Sequence, residues 1–163
     1  LYTYHSQAGA GARHIVFHHH YKIAYLICEL NSTIEVLIYD GVGEFERMQV
    51  ISTLPDGYKG FNATAAIRLS KDGNYLYASN RGHDSIAVYT ILADGGLELL
   101  EIVPSHGKTP RDFDLTPDQK FLIAVHQDSD NATVFKRNPE SGRLAELSND
   151  FHVPEAVCIN FNN

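Results

Sequence analysis

Arg13, Glu29, Arg81 and Arg111, together with His14 and His126, are the side chains whose types and spacing could do chemistry in this sequence. The planar guanidinium fork suits bidentate capture of a phosphate or a carboxylate. A carboxylate or imidazole beside such a fork could activate a water molecule or pass a proton to a leaving oxygen. The run His18, His19, His20 draws the eye as a metal site. A closed zinc site, however, needs further ligands from elsewhere, and no second cluster with ligand spacing is visible. The run reads as a solvated hairpin turn, and no metal is expected. "DGVGE" (Asp40 to Glu44) and "ADGGL" (Ala93 to Leu97) follow neither phosphate-cradle order and read as hairpin turns. The serines lie in turns without a strand-to-helix elbow, so no nucleophilic triad is indicated, and no cofactor is expected.

The elements that must position these groups show themselves as a repeat. "ARHIVFHHHYKIAYLICELNSTIEVLIY" from Ala12, "TAAIRLSKDGNYLYASNRGHDSIAVY" from Thr64 and "PRDFDLTPDQKFLIAVHQDSDNATVF" from Pro110 share one order: short strand, polar turn, apolar strand, turn, strand. The residues opening each first strand, Arg13, Ala65 and Arg111, are 52 and 46 positions apart. A glycine- or asparagine-bearing turn and a fourth strand follow each unit, strand-forming residues dominate, and no stretch keeps helical spacing. The expectation is an all-β fold, a β-propeller fragment of about three four-stranded antiparallel blades plus partial flanking strands. The blade units span about 11–54, 63–104 and 108–149. "LYTYHS" at the start is expected to be the outer strand of a preceding blade. "PEAVCINF", 154–161, is expected to be the inner strand of a closing blade, so that the chain reads as part of a ring. A β-sandwich is the alternative, but it would not require the same order of strands and turns three times.

In such a blade the start of the first strand and the end of the second share one edge, and the hairpin joining them lies roughly 17–20 Å away at the other. Arg13, His14 and Glu29 therefore share a face with Arg81, Arg111, Asp112, His126 and Gln127. Glu155 joins them if it matches Arg111 in register. The histidine run falls on the opposite face. Each group also has a structural reading: arginines at strand starts tie neighbouring blades together, Glu29 can serve as the ion-pair partner of Arg13, and a histidine such as His126 can be a hydrogen-bonded core residue.

The bulk numbers narrow the partners. Thirteen Lys and Arg against twenty Asp and Glu give a net charge of −7, and no basic run could follow a phosphate backbone, so nucleic acid is excluded as a partner. The apolar runs fall far short of the roughly 20 residues that span a bilayer, and no leader pattern opens the chain, so no membrane partner is expected and the chain reads as cytoplasmic. Cys28 and Cys158 sit in apolar strand-like runs without metal spacing and are expected as buried free thiols. Open blade edges favour association, so a homo-oligomer through those edges is a further expectation.

"GAGARHIVFH", "AYLICELNSTIEV", "AAIRLSKDGNYLYASNRGHDSIAVY", "TPRDFDLTPDQKFLIAVHQDS" and "PEAVCINF" resemble, in this order and over nearly the whole chain, the C-terminal half of the seven-bladed propeller lactonase family. That family includes cycloisomerase-type 6-phosphogluconolactonases and the carboxy-muconate lactonizing enzyme. Ala12 stands where a proline usually precedes the arginine, and "HHHY" replaces the usual "HPNG" turn. The resemblance implies a metal-independent hydrolase acting on a small anionic sugar-acid lactone, 6-phosphogluconolactone foremost. Arg13, Glu29 and His14 would be its catalytic groups, and Arg13, Arg81, Arg111 and His126 would contact substrate. A lactonizing cycloisomerase and a non-catalytic binding propeller are the competing readings, since a fold does not fix a function.

Overall fold

The computed structural model describes residues 2–161. Twelve strands form three separate four-stranded sheets, each antiparallel and ordered as the strands follow in sequence. The first sheet holds β1 (Ala12–Phe17), β2 (Ile23–Cys28), β3 (Thr33–Tyr39) and β4 (Phe45–Ser52). The second holds β5 (Ala63–Leu69), β6 (Tyr75–Arg81), β7 (Ser85–Ile91) and β8 (Leu97–Pro104). The third holds β9 (Pro110–Leu115), β10 (Phe121–His126), β11 (Asn131–Arg137) and β12 (Leu144–His152). These are three consecutive blades of a propeller, with β1, β5 and β9 as the inner strands and β4, β8 and β12 as the mostly exposed outer ones. Among the described residues no helix is long and apolar enough to cross a membrane.

The alternation of side chains along a strand glues the blades together. Leu76 and Ala78 of β6 face the first blade and pack with Tyr25, Ile27, Ile34 and Val36. Tyr77, between them, faces the third blade and packs with Phe113, Leu122 and Phe135. Buried tyrosine hydroxyls need partners, and the outer turns of the next blade supply them. Tyr25 donates to the Gly95 carbonyl at 2.9 Å, and Tyr77 donates to that of Gly142 at 2.8 Å. Both glycines have positive φ, 86° and 71°, and a Cβ on Gly142 would come within 2.2 Å of the Tyr75 ring. The glycine in "ADGGL" is therefore a docking point for a tyrosine of the preceding blade.

A second device recurs at the turns after β2, β6 and β10. Ser32, Asp84 and Asp130 all adopt positive φ, between 53° and 56°, a conformation that short polar side chains tolerate. Each turns its carbonyl to accept an N–H from just past the fourth strand: Thr53, Ser105 and Val153. Asp84 and Asp130 also reach into the following unit, where their Oδ1 atoms accept from the N–H of Thr109 at 2.9 Å and of Glu155 at 2.8 Å.

Two expectations fail here. Residues 2–6 of "LYTYHS" form no strand, and Leu1 lies outside the described residues; Tyr4 instead donates to the buried carboxylate of Glu35 and tilts against Phe45. Residues 154–161 have no ladder partner among the described strands. They still occupy the next inner-strand position, held by Asp130 at Glu155 and by Asp112, whose Oδ2 accepts from the Ile159 N–H at 3.1 Å. Without a packed sheet around it Cys158 is exposed, whereas Cys28 is buried as expected, where burial pushes its thiol up to about 11.

Candidate active site at the arginine rim

The three blades carry one template with different residues at two positions. In each blade the residue at the end of the second strand lies opposite the residue two positions before the one that the inner strand turns to the rim. Glu29 donates its N–H to the Gly11 carbonyl, Gln127 donates to that of Thr109, and Arg81 pairs with Ala63. Glu29, Arg81 and Gln127 are therefore equivalent, and so are Arg13, Ala65 and Arg111. In the third blade the two positions meet directly: Arg111 Nη1 donates to Gln127 Oε1 at 3.2 Å. In the first, Arg13 Nε stands 3.5 Å from Glu29 Oε2. In the second, the inner position is only an alanine. Arg81 reaches back across the blade boundary to Glu29 Oε1, and Arg13 reaches forward to the Ala65 carbonyl at 3.2 Å. The backbone supports the same junction, since the Thr64 N–H donates to the Glu29 carbonyl at 3.2 Å.

Glu29 is thus flanked by one guanidinium on each oxygen, at a rim open to solvent: its side chain is 34% exposed, against 18% for Arg13 and 13% for Arg81. Burial, followed by the positive charges of Arg81 and, more weakly, Arg111, holds the Arg13 guanidinium below its ordinary value despite Glu29. His14 lies exposed on β1, and partial burial plus the charges of Arg13 and Arg68 keep its imidazole below the ordinary histidine range. It belongs to the same electrostatic neighbourhood. A cavity of about 480 Å³ opens elsewhere, lined by residues such as Glu101, Lys136 and Arg143.

The structure separates two expected residues from this group. His126 is fully buried; its Nδ1 lies 3.1 Å from the Asn131 carbonyl, its ring packs under Gly107, and it presents no atom to the rim. Glu155 would join the rim only if it matched Arg111 in register. The aspartate clamps show that Glu155 corresponds to Thr109, both with positive φ, so the position of Arg111 is taken by Val157.

The histidine run is not a solvated turn throughout. His18 is buried, with Nε2 3.0 Å from the Gly73 carbonyl of the second blade and Nδ1 accepting from the N–H groups of His20 and Tyr21 at 3.0 and 3.1 Å. Two donors on Nδ1 place the ring proton on Nε2, where it is donated to Gly73. Among the described residues no cluster of three or more His, Cys, Asp or Glu could hold a metal ion.

Sequence reasoning missed one charged group on the inner strands. Arg68 Nη2 stands 2.8 Å from Asp112 Oδ1, and its Nε is 3.4 Å from Asp114 Oδ1, across the boundary between the second and third blades. The available signal was the repeat itself: Arg68 and Asp114 occupy equivalent inner-strand positions, 46 residues apart, with opposite charge.

Three propeller blades with an arginine–carboxylate cluster at one rim define the class, and comparison narrows it. The model of the family "Lactonase, 7-bladed beta-propeller" matches residues 1–161, and the chain belongs to that family. It is similar to an uncharacterized protein of Lactococcus lactis, 50% identical over 158 residues, which are 96% of this chain and 46% of that one. A Bacillus subtilis protein named 6-phosphogluconolactonase is 41% identical, over 94% of this chain and 44% of its own length. The solved structure of a Pseudomonas aeruginosa periplasmic gluconolactonase superposes with a TM-score of 0.88 at 31% identity, over 92% of this chain and 42% of that one. The chain spans somewhat under half the length of the relatives it matches.

Proposed function

We propose that this chain carries the anion-binding and proton-transferring groups of a hydrolase that opens a sugar-acid lactone, with 6-phosphogluconolactone the leading substrate. The observation that carries this reading is the Arg13–Glu29–Arg81 cluster at an open rim, with Arg111 beside it. The names of the Bacillus and Pseudomonas relatives support the choice of substrate class. In the reaction, water adds to the lactone carbonyl while Glu29 accepts its proton. The bond between the carbonyl carbon and the ring oxygen then breaks, and the ring oxygen takes up a proton to become a hydroxyl. The arginines offset the negative charge of the substrate and of the tetrahedral intermediate. Residues from beyond this chain would complete the pocket in a whole ring. A cytoplasmic site of action fits a phosphorylated sugar substrate, although the Pseudomonas relative is described as periplasmic.

A second reading rests on a specific observation: both Glu29 oxygens already face arginines of the chain itself, as in a structural ion-pair network between blades. In that reading the propeller binds a partner without catalysis. Lactone hydrolysis measured for the whole propeller that contains this chain, as wild type, Arg13→Ala and Glu29→Gln, decides between the two. The enzymatic reading expects each substitution to lower kcat/KM by a factor on the order of 10²–10⁴. Unchanged rates in both variants refute it.

A further inference from the structure

The two arginines on Glu29 are held in different ways. Arg81 Nη2 donates to Glu29 Oε1 and, at 3.1 Å, to the Thr64 carbonyl, while its Nε is buried without a partner. That side chain is committed on both sides of the blade boundary and has little freedom to turn toward a ligand. Arg13 approaches Glu29 only through Nε, at 3.5 Å, and is anchored by Nη1 to the Ala65 carbonyl. Among the described residues nothing takes a hydrogen bond from its Nη2. A separation of 3.5 Å is beyond a well-formed hydrogen bond and leaves mainly Coulomb attraction.

We propose that Arg81 is a positioning residue that fixes Glu29, and that Arg13 receives the anionic group of the ligand by giving up its long contact with Glu29. This inference rests on the lactonase reading above. A phosphate or carboxylate offers the Arg13 fork shorter, paired hydrogen bonds than the glutamate does. Arg81 and Arg111 already crowd Arg13 with like charge, so an incoming anion relieves repulsion as well as adding attraction. When Arg13 moves onto the ligand, Glu29 Oε2 loses its partner while Oε1 stays pinned by Arg81. The binding of the anion thereby frees the oxygen that accepts the proton of water, and Arg81 keeps that oxygen aimed. The substrate class that follows is a lactone with a phosphate or carboxylate set apart from the ring carbonyl.

The test titrates inorganic phosphate into the whole propeller that contains this chain by calorimetry at constant ionic strength, and measures turnover of 6-phosphogluconolactone in parallel, with circular dichroism confirming that each variant is folded. Arg13→Ala is expected to weaken phosphate binding at least about tenfold, through loss of the paired contact. Glu29→Gln is expected to tighten it, because Arg13 is released. Arg81→Lys, which keeps the charge, is expected to change phosphate binding by no more than about twofold while lowering kcat with little change in KM, and Arg13→Lys to raise KM instead. In the double variant Glu29→Gln/Arg81→Lys the lysine should have no further effect on turnover beyond that of Glu29→Gln, as for a residue acting only through its neighbour. The inference is overturned if Arg81→Lys weakens phosphate binding as strongly as Arg13→Ala, or if Glu29→Gln weakens it. The lactonase reading fails separately if phosphate binds in the expected pattern but the lactone is not turned over. A wild-type propeller that binds no phosphate overturns both.

Discussion

Replacing His18 tests whether the histidine run is part of the structure or a solvated turn. His18→Ala removes one hydrogen bond between blades, to the Gly73 carbonyl, and the acceptor for two backbone N–H groups of its own hairpin. At roughly 1 kcal/mol net per bond, with an added cost for the carbonyl left without its partner, the loss is about 2–4 kcal/mol. For a chain of 163 residues each kcal/mol moves Tm by about 2–4 °C, so His18→Ala is expected to lower Tm by roughly 4–16 °C. His18→Asn separates the contributions. Its amide oxygen can stand in for Nδ1 and keep the two local bonds, so only the bridge to Gly73 is lost, at about 1–2 kcal/mol. His19→Ala, at an exposed neighbour, should stay within about 0.5 kcal/mol of wild type. Thermal unfolding followed by circular dichroism gives all three values in one series. If His18→Ala is as mild as His19→Ala, the ring carries no load between the blades and the reasoning from its three bonds is wrong.

Other substitutions probe the remaining devices. Asp84→Ala removes the acceptor for the Gly82 and Thr109 N–H groups and should cost about 1–2 kcal/mol in urea unfolding, while Asp84→Asn, which keeps an oxygen and tolerates positive φ, should cost far less. Gly107→Ala would place a Cβ within 2.4 Å of the His126 ring and should destabilise the third blade by about 1–3 kcal/mol; a silent substitution would mean that the ring can move aside. Burial holds His126 below the ordinary histidine value, outweighing the carbonyls of Asn131 and Ser105, which favour the protonated ring. Above about pH 6.5 folded and unfolded chains both carry it neutral, and it adds no pH dependence. Below that pH the unfolded chain binds the proton first, so stability should fall by up to about 1.4 kcal/mol per pH unit, and His126→Gln should remove that part of the slope in denaturant unfolding measured at a series of pH values.

Much of the fold was legible because strands and turns advertise themselves locally. Period-2 alternation with Val, Ile, Tyr and Phe marks the strands, and the glycine and aspartate turns punctuate them, so three repeats of one order identify blades. The pairing of Arg13 with Glu29 followed from the same logic, since two adjacent antiparallel strands must bring their joined ends to one edge. What lay beyond sequence was whatever depends on the neighbouring blade. That Arg81 reaches back to Glu29 requires knowing that Ala65 leaves the inner position of the second blade empty of charge. That His18 is buried requires knowing that the Gly73 turn lies against it. The polar type of a hairpin residue predicts exposure only while the hairpin is considered alone.

The misplacement of Glu155 shows the limit of matching by residue type. Pro154 and Pro110 invite alignment, and that alignment puts a carboxylate opposite Arg111. The true correspondence is carried by a backbone feature, the positive φ shared by Thr109 and Glu155 and the aspartate that accepts the N–H of each. An Asp directly before the third strand of a blade, repeated at Asp84 and Asp130, could have set the register, because the spacing from Asp84 to Thr109 and from Asp130 to Glu155 is 25 residues in both units. With the register corrected, the fourth inner position carries Val157 in place of a charge. Among the described residues Glu29 therefore stands at the junction of the first two blades, between two arginines, while Arg111 in the third meets the neutral Gln127. An anion that draws Arg13 away from Glu29 acts directly on the proton-accepting group, and for that reason binding and proton transfer are coupled at this junction in the function proposed here.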